Sequence, residues 1–263
     1  MEIVKTKDKE QLFSYFSQDK CLFAYHIGDL DEFFFHNCTF YGLQDNGFFT
    51  SVVLLYEGGE IPTLQALGMS ETLITLVKAI SGELPDQFYC HYLRGYEQAF
   101  HPIFQLNSLG THYKMEWVDR SLVKEVDTSG VEVLTPGEHE QALQFYKISY
   151  PDHYFHPRML ETGKYFKVES AGNILAIAGL HVYSEHYDTA VLGNIATIPE
   201  ARRQGLSTKV TAQLLKELSK VGFVGLNVKV TNEPAVAMYE ALGFKFCYEY
   251  EEALVERRNK GQR

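Results

Sequence analysis

An α/β (α+β) fold, built as two similar domains in tandem and each a mixed, mostly antiparallel sheet flanked by helices, is what this sequence predicts. Three observations carry that expectation. The chain has 263 residues, more than a single domain of roughly 100–200 residues usually needs. Apolar periods of two and of 3.6 follow one another in the order hairpin, strand, helix, strand, helix, strand, and that order occurs twice. Between the two runs lies Lys124-Glu125-Val126-Asp127-Thr128-Ser129-Gly130, a polar stretch of turn formers. The expected domains are residues 1–125 and 130–263.

In the first run, 33–43 and 48–56 are expected strands around Asp45-Asn46-Gly47, a type I′ hairpin signal because Asn and Gly tolerate positive φ. A strand over 61–67, a helix over 70–80, a strand over 88–93, a helix over 96–104 and a closing strand over 112–117 complete it. In the second run, 131–134 reads as a short strand. Thr135 with Glu138 three residues on is a capping box for the helix that follows. The segments 165–170 and 174–183 flank Ala171-Gly172-Asn173 as a hairpin, and 189–198 is a strand stopped by Pro199. Leu206, Val210, Leu214, Leu215 and Leu218 recur at helical spacing. Val224, Leu226, Val228 and Val230 alternate with polar or small residues as a half-buried strand. Ala235, Met238, Tyr239 and Leu242 line one side of a short helix, and 244–251 returns as a strand.

Composition is that of a globular chain, 45% hydrophobic and 14% aromatic, enough apolar material for a sizeable core. A formal net charge of −10 repels a phosphate backbone, so no nucleic-acid partner is expected, while a cationic or amine substrate is compatible. The N-terminus MEIVKTKDKEQ is charged and lacks the apolar stretch of a signal peptide. No apolar run approaches about 18 residues, so no membrane partner is expected. Cys21, Cys38, Cys90 and Cys247 are widely spaced with no C-x-x-C pair. They read as reduced, buried thiols of a cytoplasmic protein. His153-x-x-His156 precedes Pro157 and lacks a helical H-E-x-x-H context, so no metal is expected.

Two stretches carry chemistry. Pro199-Glu200-Ala201-Arg202-Arg203-Gln204-Gly205-Leu206-Ser207-Thr208 joins a strand to a long amphipathic helix. The first amides of such a helix point outward unpaired, and with the helix dipole they form an anion site. Gly205 allows close approach of the backbone to a phosphate, and Arg202 and Arg203 add positive charge. Alone, the same residues read equally well as a solvated turn. The second stretch runs Asn232-Glu233-Pro234-Ala235, then Tyr239, then Gly243-Phe244. Taken alone, Tyr239 reads as a core tyrosine.

Together the two resemble the GNAT superfamily of acyl-CoA-dependent N-acyltransferases over about residues 131–255. The resemblance rests on Arg-x-x-Gly-x-Ser from Arg202 to Ser207, and on Asn-x-x-Ala-x-x-x-Tyr-x-x-x-Gly-Phe from Asn232 to Phe244. It implies an N-acetyltransferase that moves an acetyl group from acetyl-CoA, with no metal, to a small-molecule or peptide amine by direct attack, in a monomer or homodimer. The amides from Arg203 through Gln204, Gly205, Leu206 and Ser207 to Thr208 would hold the pyrophosphate, and Arg202 would stand beside them. Ile195, Ala196 and Thr197 would pair with the pantetheine arm, and Asn232 would bond the cofactor. Tyr239 would protonate the departing thiolate.

Two departures from the family pattern matter. Ser207 replaces a Gly or Ala, with little added bulk. The strand positions that often carry a carboxylate base hold Gly193, Asn194 and Asn227 instead, leaving His181, Glu185, His186, His153 or a chain of waters to take the proton. In the first domain, Leu67-Gly68-Met69-Ser70-Glu71-Thr72 joins strand to helix without a phosphate loop. The resemblance therefore implies a degenerate GNAT-like N-terminal domain that carries no cofactor. The alternatives are a CoA-binding regulatory module without catalysis and an acyltransferase that uses a longer acyl donor.

Overall fold

The computed structural model describes residues 1–151 and 153–258. Twelve strands and seven α-helices are found among them: β1 (Glu2–Thr6), α1 (Lys9–Phe16), α2 (Lys20–Gly28), α3 (Glu32–Phe35), β2 (Cys38–Asp45), β3 (Phe48–Tyr56), β4 (Thr63–Ala66), α4 (Thr72–Ile80), β5 (Gln87–Tyr92), β6 (Phe104–Trp117), β7 (Val131–Val133), α5 (His139–Ser149), β8 (Phe166–Ser170), β9 (Asn173–Ser184), β10 (Thr189–Thr197), α6 (Leu206–Glu217), β11 (Phe223–Lys229), α7 (Glu233–Ala241) and β12 (Phe244–Arg257). The mixed α/β class follows directly.

The chain divides into two compact units. The first takes Met1–Lys114, Lys229–Thr231 and the chain from Cys247 onward; the second takes Met115–Val228 and Asn232–Phe246. This division differs from the 1–125 and 130–263 boundaries. Residues 115–125 belong to the second unit, and most of β12 serves the first, where Glu251–Glu256 pairs antiparallel with Tyr92–Gln87.

In the first unit, β2 and β3 form the expected hairpin, and Asn46 (φ 50°) and Gly47 (φ 82°) both take the left-handed conformations that a type I′ turn needs. The expected strand over 33–43 starts late. Asp31 accepts a hydrogen bond from the Phe33 amide and caps the single turn α3, so the strand begins at Cys38. The helix expected over 96–104 shrinks to a 3₁₀ turn at Glu97–Ala99. Pro102 brings no amide to continue it, and β6 extends from Phe104. The buried side chains of β5 (Phe88, Cys90, Tyr92) and of β12 (Ala253, Val255) pack against Leu73, Leu76, Val77 and Ile80 of α4. A disulfide between Cys21 on α2 and Cys247 on β12 corrects the expectation of four reduced thiols. The two sulfurs lie 226 residues apart in sequence, and only the fold brings them together. Cys38 and Cys90 remain buried free thiols.

Asp29 follows α2 and is 5% exposed; burial raises its carboxyl pKa to about 8. In the unfolded chain the group titrates at an ordinary carboxylate value, so between the two values the folded form binds the extra proton. The stability that this proton confers is lost as pH rises through that window. Asp29→Asn, which cannot ionise, is expected to melt several degrees above wild type at pH 9 and close to it at pH 5. Melting curves that shift in parallel at both pH values would contradict this.

In the second unit the strand order is β11-β10-β9-β8-β7. The β8–β9 hairpin turns through Ala171 (φ 50°) and Gly172 (φ 78°). The capping box at Thr135 and Glu138 is present, with the Thr135 amide donating to Glu138 Oε2 at 2.8 Å. Val210, Leu214 and Leu215 turn the buried side of α6 inward, as the spacing predicts. Hairpin, strand, helix, parallel strand thus occurs in each unit, with β4–β5 and β10–β11 as the parallel pairs.

Candidate active site

Parallel β10 and β11 pair only at their beginnings, from Thr189 opposite Phe223 to Leu192 opposite Leu226. The cause lies in β10. Its register against β9 slips between Gly193 and Ala196, and Asn194 takes φ 54°. Such a bulge bends the strand and breaks its ladder. Past Leu192, Ile195–Thr197 therefore lie beyond the paired stretch of β11. Buried tyrosines hold the bulge: the Tyr146 hydroxyl donates to the Asn194 carbonyl at 2.7 Å, and the Asn194 amide nitrogen donates to Tyr165 Oη at 3.0 Å. A crevice at the carboxyl ends of parallel strands is where α/β sheets bind ligands.

The loop after β10 carries the expected Arg-x-x-Gly-x-Ser stretch. Arg203 (φ 64°) and Gly205 (φ 75°) are both left-handed, so the chain enters α6 by a sharp turn. No side chain caps α6, and its first helical bond runs from the Lys209 amide to the Gly205 carbonyl. The amides that precede Lys209 are the ones a helix leaves unpaired. A Cβ at Gly205 would meet nothing within 4 Å, so there is open space beside the residue that precedes the helix. Ser207 turns its hydroxyl to Thr197 Oγ1 at 2.6 Å, which locks the loop to the end of β10. Arg202 does similar work. Its Nε donates to the Thr197 carbonyl at 3.3 Å and its guanidinium reaches the Ser149 carbonyl at 3.4 Å. Arg203 and Gln204 are exposed.

Asn232 opens α7, yet its side chain makes no capping bond, so the carboxamide is not spent on the helix. Tyr239 is the buried residue of α7. Its ring packs edge-on to Phe244 at 5.8 Å. Burial, with a smaller contribution from Tyr150, raises the phenol above its usual value, which keeps it protonated at neutral pH.

The four proton-acceptor candidates separate cleanly. Glu185 and His186 occupy the turn that precedes β10. The nine residues of β10 span about 30 Å at a strand's rise, so these two sit at the wrong end. His153 accepts from the Phe155 amide through Nδ1 at 3.0 Å and packs on Tyr146, a loop-fixing role. His181 alone lies against the bulged part of β10. The contributions of Tyr146 and Tyr165 escape sequence reasoning, because nothing in their local pattern separates a bulge-fixing tyrosine from a core one.

At the start of α4 in the first unit, the Ser70 hydroxyl accepts from the Thr72 amide and meets Thr72 Oγ1 at 2.7 Å, and Ser51 closes on the same hydroxyl at 2.6 Å. The Ser70 hydroxyl thus takes the first amide of α4, while no side chain caps α6.

Residues 132–244 match the model of the acetyltransferase (GNAT) family, and that segment is a GNAT-family domain. Among curated proteins, the chain is similar to the ribosomal protein bS18-alanine N-acetyltransferase of Escherichia coli (strain K12), with 38% identity over 81 residues, 30% of this chain and 53% of the relative. The chain thus spans about half the length of the curated relatives it matches. Solved structures share the fold. One described as a GNAT-family acetyltransferase of Novosphingobium aromaticivorans has a TM-score of 0.63 at 16% identity, covering 79% of this chain and 89% of that one. A GNAT-family acetyltransferase of Colwellia psychrerythraea has a TM-score of 0.56 at 14% identity, covering 99% and 100%. No helix among the described residues is long and apolar enough to cross a membrane.

Proposed function

We propose that the second unit transfers an acetyl group from acetyl-CoA to a primary amine by direct attack, and that the first unit is a GNAT-like domain without a cofactor of its own. The observation that carries this reading is the uncapped start of α6 behind left-handed Arg203 and Gly205, at the mouth left by the parting of β10 from β11. Open amides and open space at Gly205 suit a pyrophosphate. The arm of the thioester would run along Ile195, Ala196 and Thr197, whose backbone lies past the paired stretch. Asn232 is free to bond the same arm.

The amine nitrogen attacks the thioester carbon, the new C–N bond forms, and the C–S bond breaks. Tyr239, protonated at neutral pH, gives its proton to the departing thiolate. Backbone donors near the bulge would meet the carbonyl oxygen as charge gathers there.

Thiol release from acetyl-CoA, read against a panel of amines, tests the activity. The E. coli relative is named for an alanine of a ribosomal protein. Alanine's one amine is its α-amine, so a peptide that begins with alanine is the first probe. Calorimetry is expected to give one acetyl-CoA per chain, since Leu67-Gly68-Met69-Ser70-Glu71-Thr72 joins β4 to α4 without a phosphate loop. A stoichiometry near two would refute the single site. Tight binding with no transfer to any amine would favour a regulatory CoA-binding module, and faster turnover with a longer acyl-CoA would change the donor.

A further inference from the structure

The acetyltransferase reading leaves the acceptor of the amine's proton unnamed, and on the basis of that reading we propose that His181 is this acceptor. Two offset bulges carry the assignment. Between β9 and β10 the register steps from Val182 opposite Val191 to Leu180 opposite Leu192, which makes His181 the extra residue of β9. It steps back from Gly179 opposite Gly193 to Ile177 opposite Ala196, which gives β10 an extra residue of its own. A bulge re-aims a side chain. Here the result is that the imidazole lies directly over Gly193: a Cβ there would fall 2.1 Å from the ring's Cδ2 and 2.3 Å from its Cγ and Nε2. Any other residue at 193 would evict the ring. His181 thus stands where a β10 side chain would stand, two residues before Ile195.

The ring is held. The Tyr165 hydroxyl donates to the Leu180 carbonyl at 2.6 Å, just before the inserted residue, and Tyr146 holds the neighbouring bulge through the Asn194 carbonyl. Tyr154 meets the imidazole edge-on at 6.0 Å. Burial depresses the His181 pKa to about 4, and a hydrogen bond with Asn194 opposes the fall. At neutral pH the imidazole is therefore uncharged, and the same burial weakens it as a base, so its position over Gly193 and not its basicity carries the assignment. The step balances. The amine's nitrogen forms the C–N bond as its proton passes to a ring nitrogen of His181, and the C–S bond breaks as Tyr239 protonates the thiolate. Afterwards His181 loses its proton to water and Tyr239 regains one.

The test compares wild type, His181→Ala and His181→Gln with acetyl-CoA and an alanine-initiated peptide, alongside calorimetry with acetyl-CoA alone. Both variants are expected to lose about 10²-fold in kcat, the low end for a positioned base because the ring is weakly basic, with unchanged affinity for acetyl-CoA. Added imidazole is expected to restore turnover in His181→Ala, where the space over Gly193 is vacated, and not in His181→Gln. Turnover of either variant within threefold of wild type overturns the assignment. So does a loss that imidazole does not relieve, which would make the ring a packing element. A wild-type protein that binds acetyl-CoA yet transfers to no amine sinks the transferase reading and this assignment with it.

Discussion

Gly205→Glu is expected to abolish binding of acetyl-CoA. Position 205 has φ 75° and a Cβ there would meet nothing within 4 Å, and the residue immediately precedes the first turn of α6. The new side chain brings bulk and a negative charge to the ground a pyrophosphate needs, and the helix dipole that would stabilise a phosphate would hold the carboxylate instead. A control separates this from backbone strain. Gly205→Ala costs roughly 1–2 kcal/mol for a left-handed non-glycine residue, but its Cβ touches nothing within 4 Å. The alanine variant should melt lower and still bind. Calorimetry that finds wild-type affinity in the glutamate variant would remove the phosphate site from this loop.

Tyr239→Phe should lower kcat by about 10²–10⁴-fold, the range for loss of a positioned general acid. The phenyl ring keeps the packing volume and the edge-on contact with Phe244, so stability should change little. KM for acetyl-CoA should also change little, because the hydroxyl acts mainly in the transition state. Steady-state kinetics with thermal melting of this single variant separates the two roles. Normal kcat with a lowered melting temperature would make Tyr239 a core residue, and the thiolate's proton would have to come from elsewhere.

Short-range signals in this chain translate directly into local structure. Thr135 and Glu138 bond each other across one helical turn, and Asn46 and Gly47 turn a hairpin within two residues. The positive φ of Gly205 and the buried side of α6 follow equally from short-range chemistry. Where the local pattern is ambiguous, context overrides it. The Phe-rich stretch after Asp31 has strand propensity, yet an aspartate cap bends it into α3. The stretch 96–104 shows helical spacing, but Pro102 stops it and the chain extends.

For the candidate site, residue types and spacing single out the loop before α6, Asn232 and Tyr239 as candidates, because a loop and the helix it starts are contiguous in the chain. They are not enough to choose among four possible bases. That choice depends on which strand lies beside which, and on a register slip of one residue that sets His181 over Gly193. The Cys21–Cys247 bridge and the transfer of most of β12 to the first unit have the same origin. The periodicity of this chain suffices to define most of its elements, its α/β class and the position of the loop that leads into α6. Tertiary structure alone decides its pairings, because hydrogen-bond register and disulfide partners are set by contacts between segments far apart in sequence, and no local propensity encodes them.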